Sequence, residues 1–249
     1  AGSFFDPTLV KAFLETSASE AFWLTLESHH LDRQINETAA HFADTRELTS
    51  PELMRLAQIF ARIVDDKSAF TAEHSVGVSR LACLLGRLSG LPAKDCELLE
   101  IAGLLHDVGK LRVPDEVLDK PGPLNEAEFA VIERHTFETW QILRRVRAFD
   151  QVAEWASFHH ESITGNGYPF HRHGGEIPVQ ARIVAVADVF QAMAQDRPYR
   201  PTVGPDGVRA MLARMTAAGH LDSAIVARVE VNFAACWEAA TGKKGVQTT

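Results

Sequence analysis

Cysteine is scarce in this chain. Cys83, Cys96 and Cys236 are the three in 249 residues, and none forms a CxxC pair. That excludes a disulfide framework, and two of the three lie in apolar helical stretches that suit buried thiols in a reducing, cytoplasmic compartment. Long hydrophobic runs are missing too. No uninterrupted apolar stretch approaches the ~18 residues of a membrane span, and the start lacks the basic-then-apolar pattern of a secretory signal. Basic charge is in deficit, with 25 Lys and Arg against 33 Asp and Glu and a net charge of -8. Wrapping DNA or RNA needs many phosphate-neutralising cations, so a nucleic-acid partner is excluded, whereas a small phosphate ligand needs only a few local ones. Repeats and low-complexity tracts are absent. The first residues are Ala1-Gly2-Ser3 rather than methionine, which points to a piece of a longer polypeptide, with a tag scar or an upstream sensory or receiver domain removed.

What is present is apolar patterning at the helical period. Hydrophobic residues make up 46% of the chain, ample for a core, and sustained alternation at period two does not occur, so the expected class is all-α. Thr49-Ser50-Pro51-Glu52 reads as a capping box, followed by an apolar face of Leu53, Leu56, Ala57, Phe60 and Val64 that ends near Asp65-Asp66. Further helices are expected from Thr71 to Arg87 and from Pro92 to His106. Asn125-Glu126-Ala127-Glu128 is a second capping box, opening a helix whose face carries Phe129, Ile132, Thr136, Leu143 and Val146, with His135 beside it. A shorter helix spans Phe149 to Glu161. After a loop rich in glycine and histidine, Pro178 opens a helix apolar nearly all round, which should be central. Residues 1 to about 48 carry Phe4, Phe5, Leu9, Val10, Phe13, Phe22, Trp23 and Leu26, enough to dock helices but too little to fold alone. Gly242 to Thr249 has the composition of a frayed end.

Within this apolar framework, His106 and Asp107 stand side by side at the end of the run Ile101-Ala102-Gly103-Leu104-Leu105. Burying an ionised carboxylate without a partner costs several kcal/mol, roughly, so a nearby cation is the economical explanation. Candidate ligands recur at intervals of one helix plus a loop: His74, His106 and Asp107, His135, His159 and His160, and Asp188. Seven mixed nitrogen and oxygen donors from five segments suit two divalent ions with Asp107 as a bridge, and iron or manganese rather than structural zinc. Other readings stay open residue by residue. His74 could be a surface or capping histidine, Asp188 could pair with Arg182 or Arg197, and Asp107 could cap a turn through Gly109 or Lys110. Adjacent side chains on a helix diverge by about 100°, so His159 and His160 can reach one ion only near a helix terminus or across a pocket.

Together, His106-Asp107-Val108-Gly109-Lys110, His159-His160-Glu161, Gly165-Asn166-Gly167-Tyr168-Pro169 and Asp188 with Asp196-Arg197-Pro198-Tyr199-Arg200 resemble the HD-GYP subgroup of HD-domain phosphohydrolases. The resemblance covers roughly residues 67 to 225. It implies a helical HD-domain bundle at 67–249, with 1–66 as an N-terminal helical appendage. It further implies a metal-dependent phosphodiesterase that opens cyclic di-GMP to the linear dinucleotide pGpG and onward to GMP in bacterial signalling. By position, His74, His106, Asp107 and Asp188 would hold one metal, and Asp107, His135, His159 and His160 the other. Lys110, Gly167, Tyr168, Arg197 and Arg200 fall where family members meet the nucleotide and its phosphates, and Asp107 and Lys110 would serve the reaction itself. Glu161 is assigned to orienting a ligand histidine. A solvated loop lysine at Lys110, an ion pair of the arginines with Asp196 or Asp206, and simple turn packing at Tyr168 are the plainer alternatives. The chain also leaves room for a homodimer.

The chain departs from the subgroup's pattern at four places. Phe70 stands where some members carry a glutamate that binds a third metal, so two metals are expected. Thr164 replaces a frequent aspartate, Trp140 a common glycine, and Gln191 an acidic residue after the metal aspartate. A non-enzymatic receptor that binds the messenger and relays its presence is the rival reading. A third reading keeps the chemistry and changes the substrate to another cyclic dinucleotide or phosphate ester.

Overall fold

The computed structural model describes residues 5–18, 22–23, 35, 48–67, 73–195 and 203–243. Chain contacts divide it into two compact units, Ala1–Thr49 and Ser50–Thr249. In the first, α1 (Pro7–Ser17) begins at Asp6, whose carboxylate accepts the N–H groups of Thr8 and Leu9 at 2.7 and 3.3 Å. None of its side chains is buried, and Phe22 lies edge-on between Phe13 and Trp23. Phe4 and Leu26 lie outside the described residues.

The second unit is built of helices joined by loops, with no strand among its described residues. In order come α2 (Ser50–Lys67), α3 (His74–Leu88), α4 (Ala93–Leu105), a 3-10 turn (Val108–Arg112), α5 (Asp115–Leu118), α6 (Glu126–Leu143), α7 (Asp150–Ser157), α8 (Val179–Ala194), α9 (Pro205–Ala217), α10 (Ser223–Val231) and α11 (Phe233–Thr241). The helix over 50–67, grouped by the sequence reading with the appendage, belongs to this unit: Ala57, Ala61 and Val64 are buried where α2 packs on α3, α4 and the 3-10 turn. The unit therefore begins at Ser50, ahead of α2 and not behind it. Of the expected apolar face, Ala57 and Val64 are buried and Leu53 packs on the core. Leu56, Ile59, Phe60 and Ile63 are exposed, because small alanines rather than the bulky residues allow the close approach.

α6 opens on the expected reciprocal cap, Asn125 Oδ1 accepting the Glu128 N–H at 2.9 Å and Glu128 Oε2 accepting the Asn125 N–H at 2.8 Å. Its buried residues are His135, Thr136, Thr139 and Leu143, whereas Phe129 and Val146, expected on the inner face, are exposed. The face of this helix is thus given to the histidine, not to the aromatic. α8 is central as expected, touching α3, α4, α7, α9, α10 and α11, with ten of its residues buried. Thr71 and the tail from residue 244 lie outside the described residues. All three cysteines are buried thiols. No described helix is long and apolar enough to cross a membrane.

Candidate metal centre

The polar centre lies where helices stop. His106 follows the last residue of α4, His74 opens α3, and His159 and His160 come just after α7 ends at Ser157. A helix terminus frees successive side chains from the 100° divergence, so His159 and His160 point to one place, their rings 4.1 Å apart. His135 and Asp188 come from within α6 and α8. His74, His106, Asp107, His135 and His159 are buried, and His160 and Asp188 half-buried.

Glycine shapes two of the approaches. A Cβ on Gly109 would lie 1.9 Å from the His135 carbonyl oxygen, so only glycine lets the 3-10 turn press against α6. Thr139, one turn after His135, ties the two together: its hydroxyl donates to the His106 carbonyl and accepts from the Gly109 N–H, each at 3.0 Å. The sequence reading missed Thr139, although the spacing of four from His135 was the signal. A Cβ on Gly167 would meet the His160 carbonyl at 2.4 Å and Glu161 Cα at 2.5 Å, so this glycine lets the loop cross over the histidine pair.

The imidazoles are held in one tautomer. Nδ1 of His106, His135 and His159 faces the carbonyl oxygen three residues back, at 2.8, 2.6 and 2.6 Å respectively. A carbonyl only accepts, so each Nδ1 carries a proton and each Nε2 faces the centre. Those three Nε2 atoms are buried and have no hydrogen-bond partner. Orphaned buried acceptors of this kind cost about 1 to 3 kcal/mol each unless something fills the space.

Ligand atoms converge in three overlapping groups, each with its members within 4.8 Å of one another: His74, His106 and Asp188; His106, Asp107 and His159; and His135, His159 and His160. Asp107 joins them, its Oδ2 3.3 Å from His106 Nε2 and its Oδ1 3.3 Å from His135 Nε2. The donor set is nitrogen and carboxylate oxygen without thiolate, which fits hard or borderline divalent cations. Electrostatics agrees. Burial raises the acidity threshold of Asp107, but His106 and Lys110 beside it hold the carboxyl well below the usual range. Burial alone would lower His106, yet Asp107 and Asp188 raise it to about 9, so the two carboxylates demand positive charge there. A bound cation would take the place of that proton. Burial lowers His135 to about 3 and pushes His159 and His160 down as well, keeping them neutral and able to ligate.

Around the centre, Lys110 Nζ contacts Asp107 Oδ2 at 2.5 Å and is mostly buried. It is not the solvated lysine of the plainer reading. Asp188 faces His74 at 3.4 Å and His106 at 3.8 Å, while Arg182 pairs with Asp222 instead. The Tyr168 ring lies 4.9 Å from that of His160, and burial pushes its phenol up. Glu161 has a different part from the one expected. Its two oxygens accept the backbone N–H groups of Phe170 and Arg172 at 2.7 and 2.8 Å, pinning the loop that carries Gly167 and Tyr168 rather than a histidine. Trp140 packs edge-on against Phe170 of that loop, and Gln191 contacts His74. Phe70, Asp196, Arg197 and Arg200 lie outside the described residues.

The family profile of the HD domain matches residues 58–225, more than half of the chain. The chain is 37% identical over 224 residues to the 3'3'-cGAMP-specific phosphodiesterase 1 of Vibrio cholerae, covering 90% of this chain and 52% of that one. It is 36% identical over 188 residues to a cyclic di-GMP phosphodiesterase of Pseudomonas aeruginosa, covering 74% and 44%. The chain spans about half the length of these relatives. Among solved structures, an HDG"Y"P protein from Bdellovibrio bacteriovorus shares the fold at 19% identity, with a TM-score of 0.56 over 86% of this chain and 80% of that one.

Proposed function

Because the chain belongs to the HD-domain family, and within it to the HD-GYP group, we propose that it is a metal-dependent phosphodiesterase of cyclic dinucleotides. The observation that carries this reading is the set of orphaned imidazole nitrogens of His106, His135 and His159, the first two facing the two oxygens of Asp107 and the third grouped with them. A structural helix junction has no use for acceptors left bare in its interior. His74, His106, Asp107 and Asp188 would hold one ion and Asp107, His135, His159 and His160 the other, with iron or manganese suited to this donor set. Such ions supply a water activated at neutral pH and a polarised phosphoryl oxygen.

The chain's own residues do the rest. Lys110 places its ammonium beside Asp107, where it offsets charge growing on the phosphate oxygens during in-line displacement. Tyr168 offers a ring face and a phenol that stays protonated, a hydrogen-bond donor toward the nucleotide. Glu161 and Gly167 fix the loop over His160, so Tyr168 is positioned before substrate arrives. Arg197 and Arg200 take the flanking phosphates in this reading.

Cyclic di-GMP is the substrate that the motif resemblance implies, with linear pGpG or GMP as product. Hydrolysis of 3'3'-cGAMP is the second reading, favoured because relatives bearing that name match over 90% and 85% of the chain. Manganese-loaded protein incubated with each cyclic dinucleotide, alone and in competition, should yield a linear product on chromatography. Stoichiometric binding without any linear product would replace the enzyme with a receptor.

A further inference from the structure

We infer that Gln191 is a positioning residue that sets the tautomer and direction of His74, an inference that rests on reading the His74, His106 and Asp188 cluster as a metal site. The other three tautomer-fixed imidazoles use a carbonyl three residues back, whereas His74, the first residue of α3, meets a side chain of another helix. Its Nδ1 instead meets Gln191 Oε1 at 2.5 Å, in a buried contact. Gln191 Nε2 donates to Gln195 Oε1 at 3.0 Å, which leaves Oε1 facing His74. With Oε1 accepting, the proton of His74 is on Nδ1 and Nε2 turns toward Asp188, 3.4 Å away.

Gln191 follows Asp188 by three residues on α8, so one helix face supplies both the carboxylate and the amide that aims the imidazole at it. Gly77, one turn after His74 on α3, makes the room, since a Cβ there would lie 2.7 Å from Gln191 Cγ and 2.9 Å from its Nε2. Gln191 itself is 1% exposed. A neutral amide in this place orients the ring without adding negative charge, so the charge of the centre stays with Asp107 and Asp188. Partners of this type are worth about 10- to 100-fold in metal affinity.

The test is manganese titration of the full chain by calorimetry, with metal content read independently by elemental analysis. Wild-type protein should bind two equivalents. Gln191→Met, close in volume but unable to accept, should keep one and bind the second about 10- to 100-fold more weakly, whereas Gln191→Glu, which retains an acceptor, should restore it. If the methionine variant does not fold, Gln191→Asn withdraws the oxygen by one methylene and carries the same expectation. Unchanged affinity in the variant lacking the acceptor, or equal weakening by Met and Glu, overturns the inference. His74→Ala separates the two levels. Loss of one equivalent there with Gln191→Met unaffected sinks only the role of Gln191; two equivalents retained in His74→Ala sink the metal reading of the cluster as well.

Discussion

Asp107 Oδ1 stands 3.3 Å from His135 Nε2, across the junction between the 3-10 turn and α6, while the other oxygen of the same carboxylate stands 3.3 Å from His106. One short side chain thus faces imidazoles from two separate elements, and no longer or neutral residue could do so with both oxygens charged.

Asp107→Ala should therefore abolish turnover and reduce bound manganese from two equivalents to one or none, with the far-UV circular dichroism of the helices retained. Two equivalents and normal turnover in this variant would remove Asp107 from the centre.

Acid should unfold the metal-stripped protein through its histidines. Burial holds His135 down to about 3 and lowers His159 and His160, whereas histidines of the unfolded chain titrate near ~6.5. The unfolded state then binds more protons in that window, so their contribution is present above about 6.5 and lost as pH falls toward 3. His106 runs the other way. Raised to about 9, it contributes fully below about 6.5 and loses this as pH rises through 9. The thermal midpoint should peak near neutrality with the acid limb steeper, and a midpoint flat over roughly pH 4 to 7 would contradict it.

Gly167→Ala should cost about 100-fold in kcat/KM with metal content unchanged. The new Cβ would run into backbone atoms of His160, Glu161 and Ser162, which cannot swing aside as a side chain does, so the loop and Tyr168 must move. Wild-type kinetics would show that the loop position is irrelevant to substrate.

Glu161→Ala removes the acceptor of two backbone N–H groups, at Phe170 and Arg172. A stability loss of about 2 to 4 kcal/mol by urea denaturation is expected, together with a raised KM and two manganese equivalents still bound. Loss of metal instead would return Glu161 to the service of a histidine.

Local chemistry was legible in the chain. The capping box at Asn125 and the apolar circumference of α8 follow from side-chain types and the 3.6-residue period, which act over a few residues, whereas α7 ends at Ser157, short of the expected Glu161, and so leaves His159 and His160 beyond it. On α6 the burial of Thr136 and Leu143 was legible, but the exposure of Phe129 was not, because Phe129 outranks His135 in hydrophobicity and only the partner surface decides which side turns in. The same holds for the exposure of Leu56 and Phe60 on α2 beside buried Ala57 and Val64.

The sequence by itself determined the all-α class, a property of composition and periodicity, and it carries seven metal-type donors whose order resembles that of the HD-GYP motifs. Only the tertiary structure decided that Glu161 holds a loop, that Thr139 ties Gly109 to His106, and that Gln191 meets His74. Hydrogen bonds between residues as far apart as 74 and 191 depend on how helices dock, and docking is settled by shape and burial over the whole core rather than by any local pattern.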